Sequence, residues 1–386
     1  MVSNDGHASR VARLRLRALV GGQGGGARDG GCDGVRDCSC DGGRDGSRDG
    51  GDDKKLDSEA SEFGEAIGIV ADDVAWVLVT GRHERSLGPA LMWALRNNAK
   101  ALKLFSDEKT GDLARIAAHF DFAIEIFAVD ESGVARLASP ASVERLEVSV
   151  DDEMFVEFIK SAGAEVVREH GVVAGEVCGL EVCRVVHGVG NNASAVDGAV
   201  GAVGADTAGE FGEAGESELE IGVGAHDRET FKLLHGKTAT TESLRKVIVE
   251  VAARRAVGAQ VHPLNQLARE RMLRHYVCQS PQLVGAKSLQ LAQPPRVRTN
   301  MKDTVPCCAV GVSMNGEKMV VIFSVGVDPD VVSYGADARG QINGAAELVF
   351  AMPTRDIVPA VERVAQLLRR PARFVGVDVI SNRLTP

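Results

Sequence analysis

The clearest alternation of hydrophobic and polar positions lies at the C-terminal end of the chain, in residues 319–386. Apolar side chains recur there at intervals of three and four, which is the periodicity of a helix with one buried face. These positions are Val361, Val364, Ala365 and Leu368. Short apolar runs on either side, at 348–351 and 374–377, are typical of strands buried on both faces. The order of strand, helix and strand predicts a parallel crossover.

A second pattern of this kind lies in residues 62–147. Three strand-like runs, at 74–79, 101–105 and 122–129, alternate with two amphipathic stretches of helical periodicity. This order predicts a small parallel α/β unit that is Rossmann-like in outline. The turn at 80–86 has neither the GxGxxG nor the GxxxxGK[ST] pattern, so neither a dinucleotide nor a nucleoside triphosphate is the predicted ligand.

The same turn holds three basic side chains just before a predicted helix start, namely Arg82, His83 and Arg85. Free backbone N–H groups at a helix start can bind anions, so these three residues are candidate anion-binding residues. A solvated basic turn is the alternative interpretation.

Residues 148–298 form the predicted central region. The runs at 172–186 and 218–223 have strand character, and the segment 188–217 between them has no period, which predicts a flexible insert in a hairpin. Residues 299–386 form a C-terminal domain with a mixed sheet. The predicted fold class is therefore α/β, with a parallel N-terminal unit, a central hairpin with helices and a C-terminal α/β unit.

Residues 1–61 lack an apolar period and are rich in Gly, Asp and Arg. Such a segment cannot bury a core, so it is predicted to be a disordered, low-complexity tail. The eight cysteines show no paired CxxC spacing, which argues against zinc and favours reduced thiols in the cytoplasm. No apolar run reaches the roughly 18 residues that a membrane span needs, so no membrane contact is predicted.

Charge is distributed unevenly along the chain. The formal net charge of -10 argues against a protein coated for nucleic acid. Residues 261–386, however, hold 15 lysines and arginines against 10 aspartates and glutamates. A predicted helix that opens at His262 and the linker after it carry arginines that can contact phosphates. These candidates are Arg269, Arg271, Arg274, Arg296 and Arg298. A solvated face paired with the acidic remainder of the chain is the alternative.

A charged cluster follows the strand-like run at 218–223. His226 and Asp227 lie at the predicted carboxyl end of that strand, where α/β proteins tend to place their sites. His226 is a candidate general base or ligand, with Asp227 beside it. The alternative is a polar helix start, in which acidic residues favour the first turn.

Three runs of the second half, at 262–276, 294–311 and 324–339, look like segments of uncharacterised proteins from high-GC bacterial genomes. The resemblance extends from about residue 74 to the C-terminus. It implies no activity and assigns no functional residue.

A second resemblance rests on three acids near predicted strands. Asp328 and Asp330 follow one strand, and Glu347 begins the next. This placement resembles the PD-(D/E)xK nuclease fold, which tRNA-splicing endonucleases also use. The resemblance implies that all three acids are catalytic and that Asp328 and Glu347 bind a metal ion such as Mg²⁺. Val349 stands where that family has its lysine, which implies a degenerate site.

The leading functional prediction is a nucleic-acid-associated protein with a nuclease-like, catalytically degenerate C-terminal domain. Nucleic acid is then the expected partner, and Mg²⁺ is expected only if the acidic site is intact. Two alternatives stand beside it. One is a small-molecule hydrolase or anion-binding enzyme that uses residues 226–229, and the other is a non-catalytic interaction module.

Overall fold

The structure is a computed structural model that describes residues 5–23, 60–187, 217–236, 240–298 and 300–378. The chain divides into two compact units, residues 1–141 and residues 142–386. Both units combine helices with sheets, and parallel strand pairs occur in each of them. The predicted α/β class is therefore confirmed.

The first unit is built on one six-stranded sheet whose strands lie side by side in chain order. The strands are β1 (Ser61–Phe63), β2 (Ala66–Ala71), β3 (Val74–Val79), β4 (Ala101–Ser106), β5 (Ala123–Val129) and β6 (Ala135–Leu137). The helices are α1 (Asp5–Gln23), α2 (Leu87–Arg96) and α3 (Thr110–Ala117). Strands β3, β4 and β5 are parallel, as predicted, and the other neighbouring pairs are antiparallel.

Helix α1 corrects the prediction for the N-terminal segment. Leu16 and Leu19 are buried in one hydrophobic cluster with Ile69 of β2 and Trp76 of β3. The two leucines lie three positions apart, so they share one helix face, and burial of that face stabilises the helix. Residues 5–23 are therefore not part of a disordered tail. Residues 24–59 lie outside the described residues.

The second unit contains two sheets, and the first of them is antiparallel with the order β10-β9-β8-β7. Its strands are β7 (Glu165–Glu169), β8 (Val172–Val177), β9 (Leu180–His187) and β10 (Ser217–Ile221). Helices α4 (Val150–Ala162), α5 (Ala225–His235) and α6 (Thr241–Arg255) accompany this sheet. The run predicted at 172–186 is thus a hairpin of β8 and β9. The predicted insert lies outside the described residues, except that Ser217 begins β10.

Two-residue turns join the first three strands of this sheet. His170-Gly171 connects β7 to β8, and Cys178-Gly179 connects β8 to β9. All four residues have positive φ. This is the backbone of a type I′ turn, whose twist matches that of the flanking strands. The geometry places His170 and Cys178 at opposite ends of β8.

The second sheet has five strands in the order β11-β12-β13-β14-β15. They are β11 (Ala286–Ala292), β12 (Cys307–Ser313), β13 (Lys318–Phe323), β14 (Glu347–Met352) and β15 (Ala372–Gly376). The helices of this region are α7 (Arg269–Gln279), α8 (Val331–Asn343) and α9 (Pro359–Ala365). Strands β13, β14 and β15 are parallel, and β11 and β12 are antiparallel to their neighbours. The predicted strand, helix and strand at the C-terminal end are confirmed.

Helix α7 lies between the two sheets of the second unit. Met272, Leu273 and Val277 are buried in the hydrophobic core of the five-stranded sheet. Arg271 and Arg274 of the same helix contact acidic side chains of the antiparallel sheet. One helix therefore supplies an apolar face to one sheet and a charged face to the other.

Candidate functional site

The charged face of α7 holds two of the arginines that were predicted to bind nucleic acid. Arg271 pairs with Glu169 and Glu176, and Arg274 pairs with the same two acids at 3.1 and 3.0 Å. Burial raises the pKa of Glu176, but Arg271 and Arg274 outweigh it and bring this pKa down to about 2. Arg274 is only 1% exposed. Arg271 and Arg274 were predicted to contact phosphates, but in the structure both pair with the acids of β7 and β8.

Arg296, a third predicted nucleic-acid contact, is bound to a predicted catalytic acid. Its Nη1 atom lies 2.7 Å from Oδ2 of Asp330, which is 1% exposed. The backbone N–H of Asp330 also donates a hydrogen bond to Oδ1 of Asp328, at 2.9 Å. The guanidinium of Arg296 stacks over the ring of Tyr334. The structure thus brings Asp328, Asp330 and Arg296 together, but in a buried ion pair rather than in an open acidic site.

Glu347 lies away from these acids. It begins β14 and is in register with Met319 at the start of the parallel strand β13, whereas Asp328 follows the end of β13. Glu347 pairs instead with Arg373, whose Nε atom is 2.6 Å away. Across the described part of the chain, no group of three or more His, Cys, Asp or Glu side chains could hold a metal ion. The expected pairing of Asp328 with Glu347 is therefore corrected, because parallel strands put the two acids at opposite ends.

The cluster at 226–229 forms the first turn of α5. Asp227 accepts a hydrogen bond from the backbone N–H of Val223, at 2.7 Å. Arg228 pairs with Glu181 at 3.1 Å. His226 is exposed, and its carbonyl accepts a hydrogen bond from Thr230. These contacts are those of a polar helix start, and they give His226 and Asp227 no common reaction centre.

The basic turn of the first unit is also engaged with its surroundings. Nε of Arg82 lies 2.6 Å from Glu65, and Nδ1 of His83 lies 2.8 Å from the hydroxyl of Ser106. Arg85 lies in the same turn, which forms a short 3₁₀ helix before α2. The predicted anion-binding side chains Arg82 and His83 therefore already have protein partners.

A group that the sequence interpretation missed lies in the first turn of α7. Glu270 is 3% exposed, and its Oε1 atom has no hydrogen-bond partner in the described structure. Asn265, which precedes the helix, is fully buried, and neither atom of its amide has such a partner. Buried polar side chains are paired in the large majority of cases. Two unpaired groups on one short segment therefore mark this place as unusual.

The chain between these two residues is strained. Ala268, immediately before α7, has a φ of 46° and is 2% exposed. An alanine in the left-handed region costs about 1 kcal/mol or more, and it persists only where the surroundings hold it. Here the Ala268 N–H donates a hydrogen bond to the carbonyl of Met301, at 3.0 Å. This hydrogen bond holds the strained residue two positions before Glu270.

Two charged neighbours complete what we call the α7 entry site, which consists of Asn265, Glu270, Arg298 and Asp328. Burial raises the pKa of Glu270 to about 7, and the carboxylate of Asp328 acts in the same direction, whereas Arg269 and Arg298 oppose it. Arg298 is partly buried and makes no ion pair or hydrogen bond within the described ranges. Burial and the nearby Arg271 lower the pKa of Arg298.

The α7 entry site lies where parallel strands of the second sheet end. Phe323 at the end of β13 and Val325 just after it pack in one core cluster with Met272 and Leu273 of α7. Asp328 extends from the same loop. The carboxyl ends of parallel strands are the usual place for ligand sites in α/β proteins. The arrangement therefore offers an anion-binding guanidinium, a carboxyl group that titrates near neutral pH and an amide that can orient a ligand.

Comparisons with protein families, characterised proteins and solved structures found no significant match to this chain. Among the described helices, none has the length and apolar character that crossing a membrane requires.

Proposed function

We propose that the second unit is an acid–base enzyme that acts on a small anionic molecule at the α7 entry site. Arg298 binds the anionic group, and Glu270 exchanges a proton with the substrate. The observation that carries the proposal is the set of buried polar atoms without protein partners, Glu270 Oε1 and both amide atoms of Asn265. This proposal keeps the predicted class of small-molecule hydrolase or anion-binding enzyme but moves its site away from residues 226–229.

The energetics favour a ligand at this place. A buried polar group that lacks a hydrogen bond costs about 1–3 kcal/mol. A small molecule with its own donors and acceptors offsets that cost when it pairs with Glu270 and Asn265. The positive end of the α7 dipole and the guanidinium of Arg298 both favour a negative charge there. The ligand class that fits these groups is a small carboxylate or phosphate.

The two acids of the site have different environments, which suits different roles. Glu270 is buried in the first turn of α7, where burial raises its pKa to about 7, so both of its protonation states are populated at neutral pH. A general acid or base works best when its pKa is near the working pH. Asp328 is only partly buried, and its negative charge adds to the larger effect of burial, which raises the pKa of Glu270. Glu270 is therefore the proton-transfer group.

The binding step can be tested with inorganic phosphate and, separately, with acetate. We expect either or both anions to raise the melting temperature of the full-length protein, because a ligand at about 100 times its Kd adds about 2.7 kcal/mol to the free energy of unfolding. Arg298→Gln should abolish that shift. Lys302→Gln removes an exposed cation close by in the sequence and serves as the matched control. An equal shift in both variants, or no shift with either anion in the unmutated protein, would contradict the proposal.

Nucleic-acid binding stays a prediction, but several of the arginines that were predicted to contact nucleic acid have partners inside the protein. Arg271, Arg274 and Arg296 are all paired with carboxylates inside the second unit. Their charge is already neutralised locally, so it adds little to the attraction of a phosphate backbone. At the α7 entry site, by contrast, Arg298 makes no ion pair within the described ranges.

A further inference from the structure

A second polar cluster lies where β9 ends and β10 begins. His187 is the last residue of β9, Ser217 is the first of β10, and the two are directly opposite each other in the antiparallel register. Directly opposite residues point to the same face of a sheet. Two positions inward along each strand, Val185 and Leu219 are buried in one core cluster. The buried stripe of these strands therefore ends in a histidine and a serine.

Asp152 in the first turn of α4 completes the cluster. It precedes Val156 and Ile159 by four and seven positions, so it shares the helix face that packs on this core. The hydroxyl of Ser217 donates a hydrogen bond to Oδ1 of Asp152, at 2.8 Å. Nε2 of His187 lies 3.3 Å from Oδ2 of this carboxylate, and its Nδ1 lies 3.3 Å from Oγ of Ser217. Each of the three side chains therefore contacts the other two.

The carboxylate of Asp152 is incompletely paired. Its side chain is 1% exposed, and Oδ2 has no hydrogen-bond partner in the part of the chain that the structure describes. A buried carboxylate oxygen without a partner is unfavourable, so it favours a positive charge beside it. The group that this oxygen faces is His187, which gains a positive charge when it takes up a proton. The arrangement therefore stabilises an imidazolium at this position.

The other two members of the cluster are open to solvent. The side chain of His187 is 56% exposed, and Ser217 is partly exposed. The hydrogen of a serine hydroxyl rotates. It can therefore turn from Asp152 to Nδ1 of His187 without movement of any heavier atom. The imidazole then accepts from the serine while its Nε2 side faces the carboxylate, which is the relation that activates a serine for nucleophilic attack.

We propose that Ser217, His187 and Asp152 form a second active site, which hydrolyses small uncharged carboxylic esters. The hydroxyl proton of Ser217 passes to Nδ1 of His187 as Oγ bonds to the carbonyl carbon, whose π electron pair moves to the carbonyl oxygen. This pair returns as the bond to the alkoxy oxygen breaks, and His187 gives its proton to the leaving alcohol. Water then attacks the acyl-serine in the same way and releases the carboxylic acid and free Ser217. Only the ester and water are consumed.

The charges beside the cluster determine which esters it accepts. Asp151, next to Asp152 in the first turn of α4, is an exposed carboxylate. Its negative charge disfavours an anionic substrate, so the ester that fits is uncharged. The α7 entry site instead favours anions, and it shares no residue with this cluster. Either proposal can therefore fail without the other.

The nucleophile can be tested with diisopropyl fluorophosphate, an uncharged reagent for activated serines, on the full-length protein. Mass spectrometry of its peptides should show Ser217 labelled about tenfold faster or more than Ser288, an exposed serine on β11. His187→Gln should slow the labelling of Ser217 by about a hundredfold, because a general base contributes at least that much. His226→Gln, a change at an exposed histidine on α5, should leave the rate unchanged.

Hydrolysis of p-nitrophenyl acetate provides a second readout. Ser217→Ala should abolish the part of the rate that diisopropyl fluorophosphate blocks, whereas Ser288→Ala should leave it unchanged. Labelling of the unmutated protein decides the question even where a variant does not fold, because a purely structural cluster would leave Ser217 no more reactive than Ser288. That result overturns the proposal. So does an unchanged labelling rate in a His187→Gln variant that keeps the melting temperature of the unmutated protein.

Discussion

Two sets of charged side chains on α7 differ in whether their polar atoms have partners in the protein. Along the helix, Arg271 and Arg274 face Glu169 and Glu176, so two cations meet two anions and the set is neutral. In the first turn, Glu270 is equally buried, but one of its oxygens has no partner. Both places lie in the interior of the same unit. Burial alone therefore does not distinguish a structural charged residue from a functional one. The distinguishing feature is whether all of its polar atoms have partners.

The difference has a physical basis. A buried ion pair remains charged because each partner offsets the desolvation of the other. A buried carboxyl group without a full set of partners lowers its free energy by taking up a proton, so its pKa rises. The low pKa of Glu176 and the raised pKa of Glu270 show these two outcomes on neighbouring parts of one interface. Only the second group is ready to exchange protons near neutral pH.

The largest expected effect comes from breaking the paired set. Arg274→Met should lower the free energy of unfolding by about 3–5 kcal/mol, because it leaves buried carboxylates without their cation. Denaturant unfolding monitored by circular dichroism measures this change. The double variant Arg274→Met with Glu176→Gln should recover part of the loss, since it also removes one of the unpaired charges. A loss below about 1 kcal/mol would show that the set is not structural.

The next effect concerns the unpaired carboxyl and depends on pH. The pKa of Glu270 is raised in the folded protein, to about 7. Its contribution to stability is therefore complete below the pKa of the unfolded chain, near 4.5, and is lost as the pH rises to 7. Glu270→Gln removes the ionisable group, so we expect it to stabilise the protein by up to about 3 kcal/mol at pH 8.

The same substitution should change stability little at pH 5, where the carboxyl group of the folded protein is already protonated. Unfolding curves of both proteins at pH 5, 6, 7 and 8 provide the comparison. Glu157→Gln on α4, whose carboxylate is well exposed, is the matched control and should show no such trend. An advantage of the Glu270→Gln variant that stays constant across this range would disagree with a raised pKa.

The smallest effect is expected at Asn265. Its amide is fully buried without partners, so replacement by Leu removes an unsatisfied group and should change stability by no more than about 1 kcal/mol in either direction. The phosphate- or acetate-dependent rise in melting temperature should be lost in the same variant. A loss of several kcal/mol would instead identify Asn265 as part of the structural core.

Much of the fold could be predicted from periodicity alone. The stripe of Val361 and Val364 defines α9, and the apolar runs on either side of it are β14 and β15. Helix α1 was missed because, among its residues 10–21, Leu16 and Leu19 are the buried ones, and two leucines among arginines do not make a clear stripe. The alternation of strands and helices predicted the parallel direction of β3, β4 and β5, but not the antiparallel strands β2 and β6 on either side of them.

The site was harder to predict than the fold. The arginines of α7 suggested a surface for phosphates, because a sequence does not show that Glu169 and Glu176 lie opposite them. The sequence did contain one signal for Glu270. This residue lies three positions before Leu273 and seven before Val277, which places its carboxyl group on the apolar face of the helix. The parallel pairing of β13 with β14 then separated Asp328 from Glu347, although both lie beside apolar runs.

The most direct test of the α7 entry site is a pH titration of the Glu270 carboxyl carbon by nuclear magnetic resonance, with ¹³C-labelled glutamate. The resonance is assigned by its loss in Glu270→Gln. We predict a midpoint near 7, and a higher midpoint with saturating phosphate, because a bound anion disfavours ionisation of the carboxyl group. The phosphate effect should be absent in Arg298→Gln. A midpoint below about 5 that phosphate does not change would contradict the account.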